Sequence, residues 1–138
     1  MYHARFPGAL TSRATRRGPA DSSGGHLVLD ILLAGGAGFI GSHLVRHFMR
    51  EGHHVVAVDN ASSGRWTNLA GLEDTRGPGR LTRVAADICE PLPPGIPFDA
   101  VLNFASPASP VDYLRRPIET LEAGAAGTRR LLEVARLR

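Results

Sequence analysis

The sequence predicts an α/β fold, a parallel sheet with helices on both faces. Three observations predict it. Leu27 to Leu33 is an apolar run broken only by Asp30, as a strand buried on both faces of a parallel sheet requires. After a glycine cluster, Ile40, Leu44 and Phe48 recur every four residues, the stripe of an amphipathic helix. Val55, Val56, Ala57 and Val58 then form a second short apolar run that ends at Asp59. Together they make one β-α-β unit of about 30 residues.

The remaining elements follow in order. Gly52 stands where a helix C-terminal glycine belongs. Asn60 to Gly64 reads as a turn and Trp66 to Leu72 as a short helix. Leu81 to Ala85 reads as a third strand. Pro91, Pro93, Pro94, Gly95 and Pro97 mark a loop. Phe98 to Ala105 reads as a fourth strand, and Pro117 opens a helix to Arg136, proline being tolerated in a first turn. The expected strand order is 3-2-1-4.

Composition narrows the classes of function. The 138 residues carry a net charge of +3, and all of it falls in residues 1–26, where four arginines (Arg5, Arg13, Arg16, Arg17) face one acid, Asp21. The rest of the chain balances, so no basic nucleic-acid-binding face is expected. Residues 1–26 read as a disordered basic tail, an extension or linker, since their composition cannot bury enough apolar area to offset chain entropy. They are Arg-rich and acid-poor like a transit peptide, but Pro7, Gly8, Gly18, Pro19, Gly24 and Gly25 would interrupt an amphipathic helix. No apolar run approaches the roughly 18 residues of a membrane span. A single cysteine, Cys89, excludes an internal disulfide, fits a reducing, cytoplasmic setting, and reads as a packing residue.

Gly36-Ala37-Gly38-Phe39-Ile40-Gly41 is a GxGxxG motif, and Gly35 begins an overlapping GxxGxxG. It ends a predicted strand, opens a predicted helix, and is followed by an acid, Asp59, at the end of the next strand. That context is the dinucleotide-binding fingerprint of a Rossmann fold. The glycines permit a tight turn and close approach of backbone to a pyrophosphate, and the helix N-terminus offers free N–H groups. Asp59 in this position accepts the ribose hydroxyls and repels a 2′-phosphate, so NAD is expected over NADP, although Arg65 lies near enough to receive that phosphate. His43 and His47 are spaced i, i+4 as metal ligands are, but no third ligand accompanies them, so they read as a solvated face and no metal site is expected. His53 and His54 read as turn residues and Trp66 as core. Arg115, Arg116, Arg129 and Arg130 read as a solvated surface.

These residues resemble the extended short-chain dehydrogenase/reductases that act on nucleotide sugars, the NAD-dependent epimerase/dehydratase family. Ile31 to Leu44 is similar to that family's first strand and glycine loop, which adds Phe39 and Ile40 to the cofactor contacts implied for Gly35, Gly36, Gly38 and Gly41. Val58-Asp59-Asn60 with Ser63-Gly64-Arg65 is similar to its second-strand signature, Asp87-Ile88 to its adenine-contacting pair, and Asp99 to Ser106 to its fourth strand. The resemblance implies cofactor contacts at Asn60, Ser63, Gly64, Asp87, Ile88, Phe104, Ala105 and Ser106. A narrower likeness lies in Asp87 to Leu92, in Ala105-Ser106-Pro107-Ala108-Ser109-Pro110, and in Tyr113, Pro117-Ile118, Thr120-Leu121 and Gly127-Thr128. Those segments resemble UDP-glucuronate decarboxylases and imply substrate contacts at Pro107, Ser109 and Tyr113. The likeness covers roughly residues 28–136.

The implied chemistry is oxidation of UDP-glucuronate at C4 by NAD, loss of CO2 from the resulting β-keto acid, and return of the hydride. An NAD-dependent epimerase or 4,6-dehydratase is the alternative within enzymes, and a non-catalytic NAD-binding fragment the alternative outside them. The resemblance further implies a nucleotide-sugar partner and a homodimer for the full-length enzyme, with neither nucleic acid nor membrane as a partner. The family's base is a Tyr-xxx-Lys pair, whereas this sequence holds only Tyr2 and Tyr113 and no lysine. No catalytic residue is therefore assigned. Residues 27–138 are read as the N-terminal half of an NAD-binding domain, a truncated Rossmann fold ending before the fifth strand, the catalytic helix and the substrate domain. Ala34, Asn103 and Gly124 stand where the family usually has threonine, histidine and asparagine.

Overall fold

The computed structural model describes residues 27–72 and 77–136. The tail of residues 1–26 lies outside the described residues. Four strands, β1 (Asp30–Ala34), β2 (His54–Asp59), β3 (Arg80–Ala85) and β4 (Ala100–Asn103), form one parallel sheet in the order β3-β2-β1-β4. Leu33 pairs with Ala57 on one side and Leu102 on the other.

Side chains alternate along each strand, and both faces are apolar. Leu32, Ala34, Val56, Val58 and Val84 face one layer with Ile88, Ile96, Phe98 and Leu131. Leu33, Val55 and Ala57 face the other with Val45, Met49, Leu69 and Leu72. The second layer comes from α1 (Phe39–Arg50) and a 3₁₀ turn, Trp66–Leu69. The first is covered by α4 (Thr128–Arg136) through Leu131. Trp66 packs against the α1 layer, as a core residue should.

The structure differs from the sequence expectations in several places. His54, expected in a turn, opens β2 with its Nδ1 3.1 Å from Asp30 Oδ1, because β2 pairs with β1 from Asp30 onward, and the helix expected over Trp66 to Leu72 is the short 3₁₀ turn alone. β1 and β4 are shorter than the apolar runs that predict them, because they meet only where the polar pair Asp30 and Asp99 begins the ladder: the Asp99 N–H donates to the Asp30 carbonyl at 2.6 Å, and the Asp30 N–H to Asp99 Oδ2 at 2.8 Å. The buried stripe of α1 is Gly41, Val45 and Met49, not Ile40, Leu44 and Phe48. Leu44 and Phe48 flank it, and Ile40 stays 57% exposed. Gly41 sets this rotation, since a Cβ there would overlap the Gly35 carbonyl, and residues four and eight further on share its face. Between β4 and Pro117, where the sequence predicts no element, lies α2 (Pro110–Arg115), with Ser109 as its N-cap. The helix expected over 117–136 is divided into α3 (Pro117–Glu122), a π-helical segment (Ala123–Gly127) and α4. No helix among the described residues is long and apolar enough to cross a membrane.

Candidate dinucleotide cleft

At the carboxyl ends of the strands β1 runs out into the glycine loop. The N–H groups of Gly35 and Gly36 both donate to the Val58 carbonyl, at 2.8 and 3.4 Å, so the loop crosses over the end of β2. Gly35 has φ +79, and a Cβ there would overlap the Phe104 carbonyl. Only glycine meets both conditions. At Gly38 the chain is still extended, and it enters α1 without a side-chain cap and with no acid in the first turn. The orphan N–H groups and positive end of the helix dipole are thus left without an anionic side chain of their own.

Asp59 closes the site from β2. It is 8% exposed; its Oδ2 accepts the Ala37 N–H at 2.9 Å and its Oδ1 the Ala61 N–H at 2.7 Å. The carboxylate therefore fastens the glycine loop to the turn after β2. Each of its oxygens keeps a lone pair for a further donor. The turn is also stitched to the loop by its backbone, the Arg65 N–H donating to the Ala37 carbonyl at 3.0 Å. A Cβ on Gly64 would lie 2.8 Å from that carbonyl.

Beyond the turn, Asn60 Nδ2 donates to Asp87 Oδ2 at 2.8 Å, and the Cys89 N–H donates to Asp87 Oδ1 at 2.8 Å. The Cys89 backbone donor, helped by Asn60, holds the Asp87 carboxyl below its ordinary value against a partial loss of hydration. Burial pushes the Cys89 thiol up, and the Asp87 carboxylate adds to the effect. Cys89 is thus a weakly acidic, half-buried thiol.

A cleft of about 250 Å³ runs between these walls. Of the residues expected to meet a cofactor, it is lined by Gly35, Gly38, Asp59, Asn60, Ser63, Gly64, Asp87, Ile88, Phe104, Ala105 and Ser106. Four others stand behind or beside it. Gly36 is buried, where a Cβ would lie 2.6 Å from that of Ala57, and Gly41 packs under the loop. Phe39 and Ile40 are exposed on the first turn of α1. Of the three residues expected to meet substrate, Pro107 lines the cleft. Ser109 is engaged as the α2 cap, accepting the Asp112 N–H at 3.1 Å, and Tyr113 is exposed on α2, neither of them on the cleft wall.

The cleft also takes in residues to which the sequence gives no binding role: Ser62, Glu90, Arg116, Glu119 and Glu122. Arg116 is exposed, as expected, and reaches across to the Ser62 carbonyl at 3.2 Å. Pro117 directly after it is the sequence signal, since it breaks the helix there and turns Arg116 out of register. A larger cavity, about 490 Å³, lies between the proline-rich loop and α4 and shares only Glu90 with the cleft.

The tight glycine loop, the uncapped α1 terminus and the Asp59 carboxylate fit a dinucleotide: the glycines let the loop pack flat beneath the start of α1, whose N-terminus carries no acidic side chain, and where the cofactor needs an acceptor there is one. His43 and His47 are both exposed on α1.

Fold and cleft together define a Rossmann-type unit. The chain belongs to the NAD dependent epimerase/dehydratase family, whose description matches residues 31–138. It is 42% identical over 106 residues to UDP-glucuronic acid decarboxylase 1 of Danio rerio, covering 77% of this chain and 24% of that protein. It superposes on the crystal structure of a UDP-galactose 4-epimerase with a TM-score of 0.64 and 34% identity, over 78% of this chain and 34% of the other. A UDP-glucose-4-epimerase from Stenotrophomonas maltophila, solved with bound NAD and formylated UDP-arabinopyranose, gives a TM-score of 0.64 at 28% identity, over 76% and 32% of the two chains. The chain thus spans about a quarter of the length of the curated relatives it matches.

Proposed function

We propose that this chain is the NAD-binding half of a nucleotide-sugar enzyme of the UDP-glucuronate decarboxylase kind. The observation that carries the reading is the union of two features at one edge of the sheet. The glycine cradle with Asp59 provides for a dinucleotide, and the Ala105–Pro110 segment runs from the same cleft at Ala105, Ser106 and Pro107. Bound NAD would take a hydride from the sugar and return it. The chain's own residues hold and orient the cofactor. The N-terminus of α1 receives the pyrophosphate, Asp59 the adenosine ribose, and Asp87 and Ile88 the adenine. Ser109 and Tyr113 serve the sugar nucleotide through the segment they belong to.

Oxidation at C4 needs a base at the hydroxyl, and among the described residues no tyrosine is paired for that role: the sequence has no lysine to lower a tyrosine pKa, and Tyr113 lies on α2. We therefore assign the chain binding and not turnover, with homodimerisation and the cytoplasmic setting as properties of the whole enzyme. The family's breadth favours one second reading, a 4-epimerase or 4,6-dehydratase.

The test joins this chain to the downstream half of a related decarboxylase and incubates it with NAD and UDP-glucuronate, following products by mass spectrometry. CO2 and a UDP-pentose are expected from the chimera and nothing from the chain alone. A chimera that binds NAD but only epimerises the sugar overturns the decarboxylase reading, and turnover by the chain alone overturns the assignment of binding without catalysis.

A further inference from the structure

We infer that Arg116 is a clamp on the cofactor's pyrophosphate, closing the cleft from the side opposite the glycine loop. The inference rests on the proposed dinucleotide reading and deepens it. Its ground is the electrostatic make-up of the cleft. Asp59, Asp87, Glu90, Glu119 and Glu122 line it, and among the described residues Arg116 is the one Lys or Arg on its wall. A dianionic pyrophosphate entering such a cleft meets the α1 terminus on one side and a field of carboxylates on the other. The guanidinium is the side-chain charge that offsets them.

Its backbone is held in place. The Arg116 N–H donates to the Asp112 carbonyl at 2.9 Å, and its own carbonyl accepts from both the Thr120 N–H at 3.0 Å and the Thr120 hydroxyl at 2.7 Å. With φ −132 and ψ 58 it breaks the helix between α2 and α3. The next residue, Pro117, cannot donate to a continuing ladder. From this fixed junction the side chain spans the cleft to the Ser62 carbonyl at 3.2 Å. Ser62 belongs to the turn that Arg65 and Gly64 lock against Ala37 and Gly38, beside the phosphate end of the cradle. One guanidinium nitrogen is occupied by a neutral carbonyl, which a phosphate oxygen out-competes as a charge-assisted acceptor. The remaining donors form the fork that suits phosphate.

The test titrates NADH and NADPH into the full chain and into Arg116→Ala and Arg116→Lys variants, by calorimetry, at low and at raised salt. Loss of this exposed contact is expected to weaken NADH binding roughly fivefold in Arg116→Ala. The deficit should shrink as salt screens it, the Debye length being about 10 Å at 0.1 M. Arg116→Lys should recover part of it, and the melting temperature of Arg116→Ala should match the unaltered chain, because the side chain is exposed. Equal NADH binding by Arg116→Ala and the unaltered chain overturns the clamp alone. A deficit confined to NADPH overturns it as well, placing the guanidinium at a 2′-phosphate. No NADH binding by the unaltered chain overturns the dinucleotide reading and the clamp together.

Discussion

The carboxylate of Asp59 and the backbone N–H of Ala37, 2.9 Å apart, join two segments 22 residues apart into a single wall. The residue proposed to set cofactor preference is thus also a fastener of the glycine loop. Asp59→Ala leaves the buried Ala37 N–H and the Ala61 N–H without their acceptor, a loss of about 1–3 kcal/mol. Both the melting temperature and NAD affinity should fall. Asp59→Asn keeps one acceptor oxygen and should lose less of each. Parallel thermal melts and calorimetric titrations check this. NADP binding as tight as NAD binding by the unaltered chain would refute the role given to the carboxylate.

Two glycines of this chain should respond oppositely to alanine. Gly41 lies against the Gly35 carbonyl and the Gly36 Cα, backbone that cannot yield cheaply. Gly41→Ala should destabilise by about 1–3 kcal/mol, as overpacking does. Gly124, within the π-helical segment, has open space where a Cβ would go. Gly124→Ala should stabilise by about 0.5–1 kcal/mol, the helix-interior penalty of glycine removed. Urea denaturation of the two variants decides it, and a Gly41→Ala variant as stable as the parent would contradict the packing described.

Asp87 and Cys89 make a linked pH prediction. The native Asp87 carboxyl titrates below its ordinary value of 3.8, so its contribution to stability is present above that value and is lost as pH falls through the lower native one. Asp87→Asn should flatten stability against pH in that acid window and leave the slope near neutrality unchanged. The same substitution removes a carboxylate that raises the Cys89 thiol, so Cys89 should react faster with iodoacetamide in the variant between pH 8 and 9. Burial, the larger cause, remains, so the rate should stay below that of a free thiol. Alkylation followed by mass spectrometry reads it directly, and an unchanged rate means the two groups do not sense each other.

Much of this protein was determined by sequence alone, because the signals are local. Apolar runs of strand length, glycines at GxGxxG spacing and an acid one strand later define a β-α-β unit whatever surrounds them, and the order β3-β2-β1-β4 is the one that goes with a dinucleotide-binding fingerprint on the first strand. Eleven of the fifteen expected cofactor residues line one cleft for the same reason: they sit at strand ends, and a parallel sheet brings those ends to one edge. Tertiary structure decided what depends on contact between distant segments. The face that α1 buries was set by Gly41 against Gly35 and not by its widest apolar stripe. Ser109 became a cap because α2 forms beside it. Arg116, one arginine among sixteen in the sequence, acquired its place only when the break before Pro117 set it across from Ser62, 54 residues earlier. Periodicity carries information over a few residues, whereas a side chain's partner across a cleft depends on where the whole backbone brings it.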